Sequence, residues 1–157
     1  MKKKIIGALA AVFASVSAIF AGINMGKKIK EQDKALAKVH ELYMLFDQWV
    51  QVKQEDKSLV EYFRKNEYRT IAIYGMKELG ERLYDELKNS DIKVSYVIDK
   101  NADKIYADVN VVTPDEELDP VDVIVVTAVY YFNEIEEVLN KKVNYPIVSL
   151  EDVLYEV

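Results

Sequence analysis

Residues 72–83, AIYGMKELGERL, carry glycine at two of the three glycine positions of a G-x-G-x-x-G phosphate-binding turn. Gly75 fills the first, which makes the tight turn, and Gly80 the third, which lets the following helix pack closely on its strand. Lys77 stands at the second, where glycine would let a pyrophosphate approach the backbone, and Met76 precedes it. A lysine there either meets a phosphate through its ammonium or points to solvent. Asp99 follows Gly75 by 24 positions, near the offset of about 20 at which an acid accepts from a ribose hydroxyl. It equally suits the turn DKNAD, where an aspartate braces the backbone. Thr127 ends the apolar run VDVIVVT. Gly75, Met76, Lys77, Gly80, Asp99 and Thr127 are therefore the candidate binding residues. The chemistry they suit is recognition of a nucleotide such as NAD.

No residues of the right type and spacing point to catalysis. The chain has no cysteine, which removes thiolate nucleophiles, thiolate metal sites and disulfides. His40 is the single histidine and cannot build a histidine-ligated metal site alone. No metal site is expected, although carboxylate binding of magnesium or calcium needs no histidine. Two Tyr-x-x-x-Lys pairs occur, Tyr84 with Lys88 and Tyr96 with Lys100. Both lie too early in the chain for the dehydrogenase chemistry that such a pair performs. The run Asp115, Glu116, Glu117, Asp119 and Asp122 sits beside Pro114 and Pro120 and reads as a solvated loop. Tyr130, Tyr131 and Asn133 follow Thr127 closely enough to line a pocket or to pack. Catalysis by this chain alone is not expected.

These residues need elements to position them, and the pattern supplies strands alternating with helices. RTIAIYG, KVSYVIDK, VNVVTP, VDVIVVTA and YPIVSL read as short strands, the fourth being the most continuously apolar. SLVEYFRK, with Ser58 and Glu61 as a capping box, MKELGERLYDELKNS, YFNEIEEVLNKK and EDVLYEV, capped by Ser149, read as helices. Such alternation predicts an α/β fold with a small, doubly wound parallel sheet over residues 58–157, in the order 3-2-1-4-5. A ligand then belongs outside the carboxyl ends of strands 1 and 4, where the order reverses. From YRTIAIYGMKELGERLYDELKNSDIKVSYVIDKNA through VDVIVVTA the chain resembles the Rossmann-like domains of bacterial capsule and surface-polysaccharide proteins. It is also similar to the N-terminal nucleotide-sugar-binding domain of sugar acyltransferases, without the β-helix that carries their catalysis. YMLFDQWVQVKQEDKSLVEYF resembles the helical lead-in to such domains. The resemblance implies a nucleotide or nucleotide-sugar ligand at Gly75, Gly80 and Asp99, with Lys77 as the departure, and a partner in polysaccharide biosynthesis.

The first 57 residues are organised differently. Ile5 to Met25 contains no charged residue and is long enough to span a bilayer as a helix of about 20 residues. Lys2, Lys3 and Lys4 precede it, and Lys27, Lys28, Lys30, Lys34 and Lys38 follow. A cleaved signal peptide is the alternative, but the run is long for one, no clear small-x-small site closes it and lysines follow at once. These features predict a retained single-pass anchor over residues 1–26. The heavier C-terminal flank puts the globular domain on the cytoplasmic side of the cell membrane. Residues 27–57 predict a helical stalk in which Ile29, Leu36, Tyr43 and Val50 fall seven apart, with Val39 and Phe46 between them. Ala10, Ala14, Ala18, Gly22 and Gly26 form a small-residue stripe along the anchor. Leu42, Leu45 and Trp49 widen the apolar face beyond a strict two-stranded seam, so the stalk either joins the anchor in forming a homo-oligomer or folds back onto the globular domain. Eight lysines against four acids leave +4 on residues 1–50, so the total of −6 puts −10 on the remainder. That acidity disfavours nucleic acid as a partner. The alternatives to a nucleotide-binding module are a membrane scaffold whose turn is vestigial, or a non-catalytic subunit of an NAD-dependent enzyme.

Overall fold

The computed structural model describes residues 2–157, with side chains from Asn24 onward. Helix α1 (Lys2–Gln54) is continuous, with no proline to break it. Among the described residues no helix is long and apolar enough to cross a membrane. The anchor expected over residues 1–26, with its small-residue stripe, lies outside the described side chains except at Asn24, Met25 and Gly26. Two compact units divide the chain, Met1–Tyr43 and Met44–Val157. The second holds the last turns of α1 and then α2 (Leu59–Lys65), β1 (Thr70–Tyr74), α3 (Glu78–Leu87), β2 (Lys93–Ile98) and β3 (Val111–Val112). It continues with β4 (Val123–Val126), α4 (Phe132–Leu139), β5 (Ile147–Ser149) and α5 (Leu150–Tyr155).

The five strands form one sheet in the expected order β3-β2-β1-β4-β5, and every pairing is parallel. Such a sheet must be covered on both faces. Period-two alternation sends Ala72, Tyr74, Ile124 and Val126 to one face, where they pack with Phe132, Ile135 and Leu139 of α4. Ile71, Ile73, Val123 and Val125 therefore point to the other face, and all four are fully buried. Helix α3 lies on that side against β1 and β2, burying Leu79, Leu83 and Leu87, beside α2, which packs in turn on α5. A bulge between Ile71 and Ala72 skips one residue of β2, so that Tyr96 and Ile98 join the α4 face.

The expected caps hold the helix starts in place. Ser149 accepts from the Glu151 amide at 3.2 Å. Ser58 Oγ accepts from the Val60 amide at 3.3 Å and the Glu61 amide donates to the Ser58 carbonyl at 3.0 Å, so the reciprocal box with Glu61 is not made. The Ser58 hydroxyl donates to Glu86 at 2.9 Å. Glu86, on α3, gathers four donors. Trp49 Nε1 reaches one oxygen at 2.8 Å; Ser58 Oγ, the Leu59 amide (2.8 Å) and Lys53 Nζ reach the other. One carboxylate thus joins the end of α1 and the start of α2 to α3. Burial alone would raise its pKa, but these donors outweigh that and hold it below the usual carboxylate value. Leu45, Trp49 and Val52 of α1 are buried in the same unit.

Candidate functional site

Register brings the predicted residues together. Tyr74, the last residue of β1, is level with Ile98 in β2 and with Val126 in β4. Gly75, Asp99 and Thr127 each come one residue later, so all three leave the sheet at the same height. This is the carboxyl edge between β1 and β4, where the strand order reverses.

The backbone turn is built as the two glycines require. Gly75 adopts φ +95, a region that L side chains avoid. A Cβ placed there would also lie 2.9 Å from Thr127 Oγ1. Gly80 sits in the first turn of α3, directly under the turn; a Cβ on it would fall on the Gly75 carbonyl oxygen and 3.0 Å from the Gly75 carbonyl carbon. The third-glycine role, close approach of helix to strand, is therefore real in this chain. Thr127 fastens the two strands: its hydroxyl lies 3.0 Å from the Tyr74 carbonyl and 2.8 Å from that of Gly75. Its amide donates to Tyr74 at 2.9 Å.

Asp99 is buried, at 9% exposure, and works inside the turn. Its Oδ2 accepts from the Met76 amide at 3.0 Å and its Oδ1 from the Asn101 amide at 2.9 Å. It thus braces both the glycine turn and its own turn, as the DKNAD reading anticipates. A carboxylate oxygen can accept twice, so Oδ2 retains one acceptor position. Met76, a candidate from sequence, takes part through this amide while its side chain is buried. Lys77 is the N-cap of α3; its side chain is exposed and makes no capping hydrogen bond. The donors at the start of α3 are consequently left without a side-chain acceptor.

The surrounding charge is negative. Tyr74, on the α4 face of β1, has its hydroxyl pKa raised by burial first and then by the charges of Asp99 and Asp115. Asp115, Glu116 and Glu117 are exposed just past β3, and Glu116 accepts from the Thr113 amide at 2.6 Å. Asp122 belongs to the opposite edge, where it accepts from Arg69 and Thr70 amides at the start of β1. Neither Tyr-x-x-x-Lys pair reaches the turn: the Tyr96 hydroxyl donates to the Asp119 carbonyl at 2.6 Å, and Lys88 pairs with Asp85. Tyr130 and Tyr131, packed edge to face at 5.2 Å, follow β4 directly and are partly exposed. Among the described residues no group of three or more histidines and carboxylates is placed to hold a metal ion.

Two features were not singled out from sequence. Ala128 backs the glycine turn, its Cβ 3.8 Å from where one on Gly75 would stand; an alanine after a strand carries no signal. A groove of about 440 Å³ lies away from the turn, between α1 and α3, lined by Phe46, Trp49, Val50, Lys53, Arg82 and Glu86. Trp49 on its wall is one of the residues that widen the apolar face of the stalk, though nothing in the sequence signals a groove there. No protein-family model matches the chain, and no curated protein or solved structure was found to be similar to it.

Proposed function

We propose that the chain is a membrane-anchored module that binds a nucleotide or nucleotide-sugar, weakly, at the carboxyl edge between β1 and β4. It serves surface-polysaccharide assembly as an accessory protein and carries out no chemistry of its own. The observation behind this reading is the pair of glycines: Gly75 at φ +95 and Gly80 beneath its carbonyl build the tight strand-to-helix turn that phosphate-binding loops use. That geometry aims the start of α3 and its partial positive charge at an anion. Lys77 offers an ammonium to phosphate but stops a pyrophosphate from lying deep in the turn. Asp99 accepts from a ribose hydroxyl at the position left on Oδ2. Negative charge at Asp99 and Asp115 opposes a dianion, which keeps affinity low and favours UDP-type ligands, shallowly held, over NAD.

A second reading is favoured by one observation, that Asp99 already has a structural task at both oxygens. In it the turn is vestigial and the domain is a scaffold for a protein partner. Titration of the full chain in detergent with NAD, UDP and UDP-sugars at millimolar concentration separates the two. Binding of UDP or a UDP-sugar that weakens in Lys77→Gly supports a phosphate contact. Absence of heat with every ligand, in the wild type and in Lys77→Gly, leaves the scaffold.

A further inference from the structure

Within the unit Met1–Tyr43, one face of α1 carries large apolar side chains that the chain itself leaves uncovered. Met25, Ile29, Leu36, Val39 and Tyr43 are 52–68% exposed. Their spacing of four, seven, three and four residues is the heptad alternation, with Ile29, Leu36 and Tyr43 at the a positions and Met25 and Val39 at d. Gln32 occupies the remaining d position and is also exposed. A face with this period fits a second helix of the same period, and the charges beside it say which helix and in which direction.

We infer that this face pairs with the same face of a second copy of the chain, forming a parallel, in-register, two-stranded coiled coil. In a parallel pair each g residue meets the e residue five positions later on its partner. Lys28 is at g and Asp33 at e, so Lys28 of each chain meets Asp33 of the other, twice by symmetry. An antiparallel pair sets g against g and e against e. It would bring Lys28 to Lys28, Ala35 or Leu42, and Asp33 to Asp33, His40 or Gly26, with no opposite charges together. Lys28, Asp33 and His40 are the polar residues flanking the seam, while Ala35 and Leu42 extend its apolar face at g. In register, Gln32 faces Gln32, and one polar seam position of this kind fixes alignment.

The absence of cysteine makes the test clean, because one introduced thiol can only pair with its own copy. Leu36→Cys in the full chain, oxidised mildly in detergent, is expected to give a disulfide-linked dimer, since in-register a positions adjoin. Lys34→Cys, on the far side of the helix, is expected to stay unlinked. Sedimentation of the wild type should give twice the 18.1 kDa chain mass. Lys28→Glu should weaken dimerisation roughly fivefold, and Lys28→Glu with Asp33→Lys should restore it. A monomer, a larger assembly, equal cross-linking at positions 34 and 36, or a double charge swap that does not recover would each overturn the inference.

Discussion

A methyl group on Gly80 would meet the Gly75 carbonyl with nowhere to go, because that contact is backbone against backbone. Gly80→Ala is therefore expected to lower stability by about 1–3 kcal/mol, the usual cost of overpacking. An exposed substitution such as Lys77→Gly should stay within about 1 kcal/mol, the ordinary glycine penalty. Chemical unfolding of both variants checks this; an unchanged midpoint for Gly80→Ala would mean that α3 approaches β1 less closely than described. At this scale the sequence was readable where a residue type has a single physical use. Glycine at 75 and 80 announced a turn and a close approach, and both are present. Asp99 was ambiguous because an aspartate after a strand serves a turn or a ligand with the same atoms. Its bonds to Met76 and Asn101 show the turn role, which residue type alone could not separate.

Helix α3 depends on Glu86 for its junction with α1 and α2, and this makes the junction sensitive to acid. Burial opposes ionisation of Glu86, but its donors prevail and the folded pKa lies below the ordinary 4.5. Its stabilisation is thus complete above the unfolded pKa and is lost as pH falls through the folded one. Unfolding midpoints between pH 7 and 3 should drop less steeply in Glu86→Gln than in the wild type, an equal drop in both being the contrary result. Removing α1 entirely should cost more. A fragment starting at residue 56 lacks Leu45, Trp49 and Val52, whose burial is worth on the order of 5 kcal/mol. A fragment starting at Met44 keeps them, so it should resist urea markedly better than the shorter one. Strand and helix positions were legible from apolar period. So were the bounds of α2, from its Ser58 cap to Lys65, but the end of α1 was not, since left-handed Asp56 (φ 59) follows it without the glycine that normally marks such a stop. The width of the stalk's apolar face left folding back onto the domain as one of two readings, and the burial of Leu45, Trp49 and Val52 selects it for the last turns of α1.

For the whole molecule, charge carries the account of location and ligand. The proposed cytoplasmic placement of the α/β unit rests on the lysines that follow residue 26. Protease added to intact cells is then expected to spare residues 44–157 until lysis; digestion without lysis would reverse the topology. The central claim, a nucleotide-type ligand at the β1–β4 edge, is tested most directly by amide NMR of the full chain in detergent during titration with UDP-sugar. The expected result is shifts concentrated at Gly75–Gly80, Asp99 and Thr127–Tyr131, saturating in the millimolar range and absent in Gly80→Ala. No shift at millimolar ligand, or shifts gathered around Trp49 and Arg82 in the groove between α1 and α3, would contradict it.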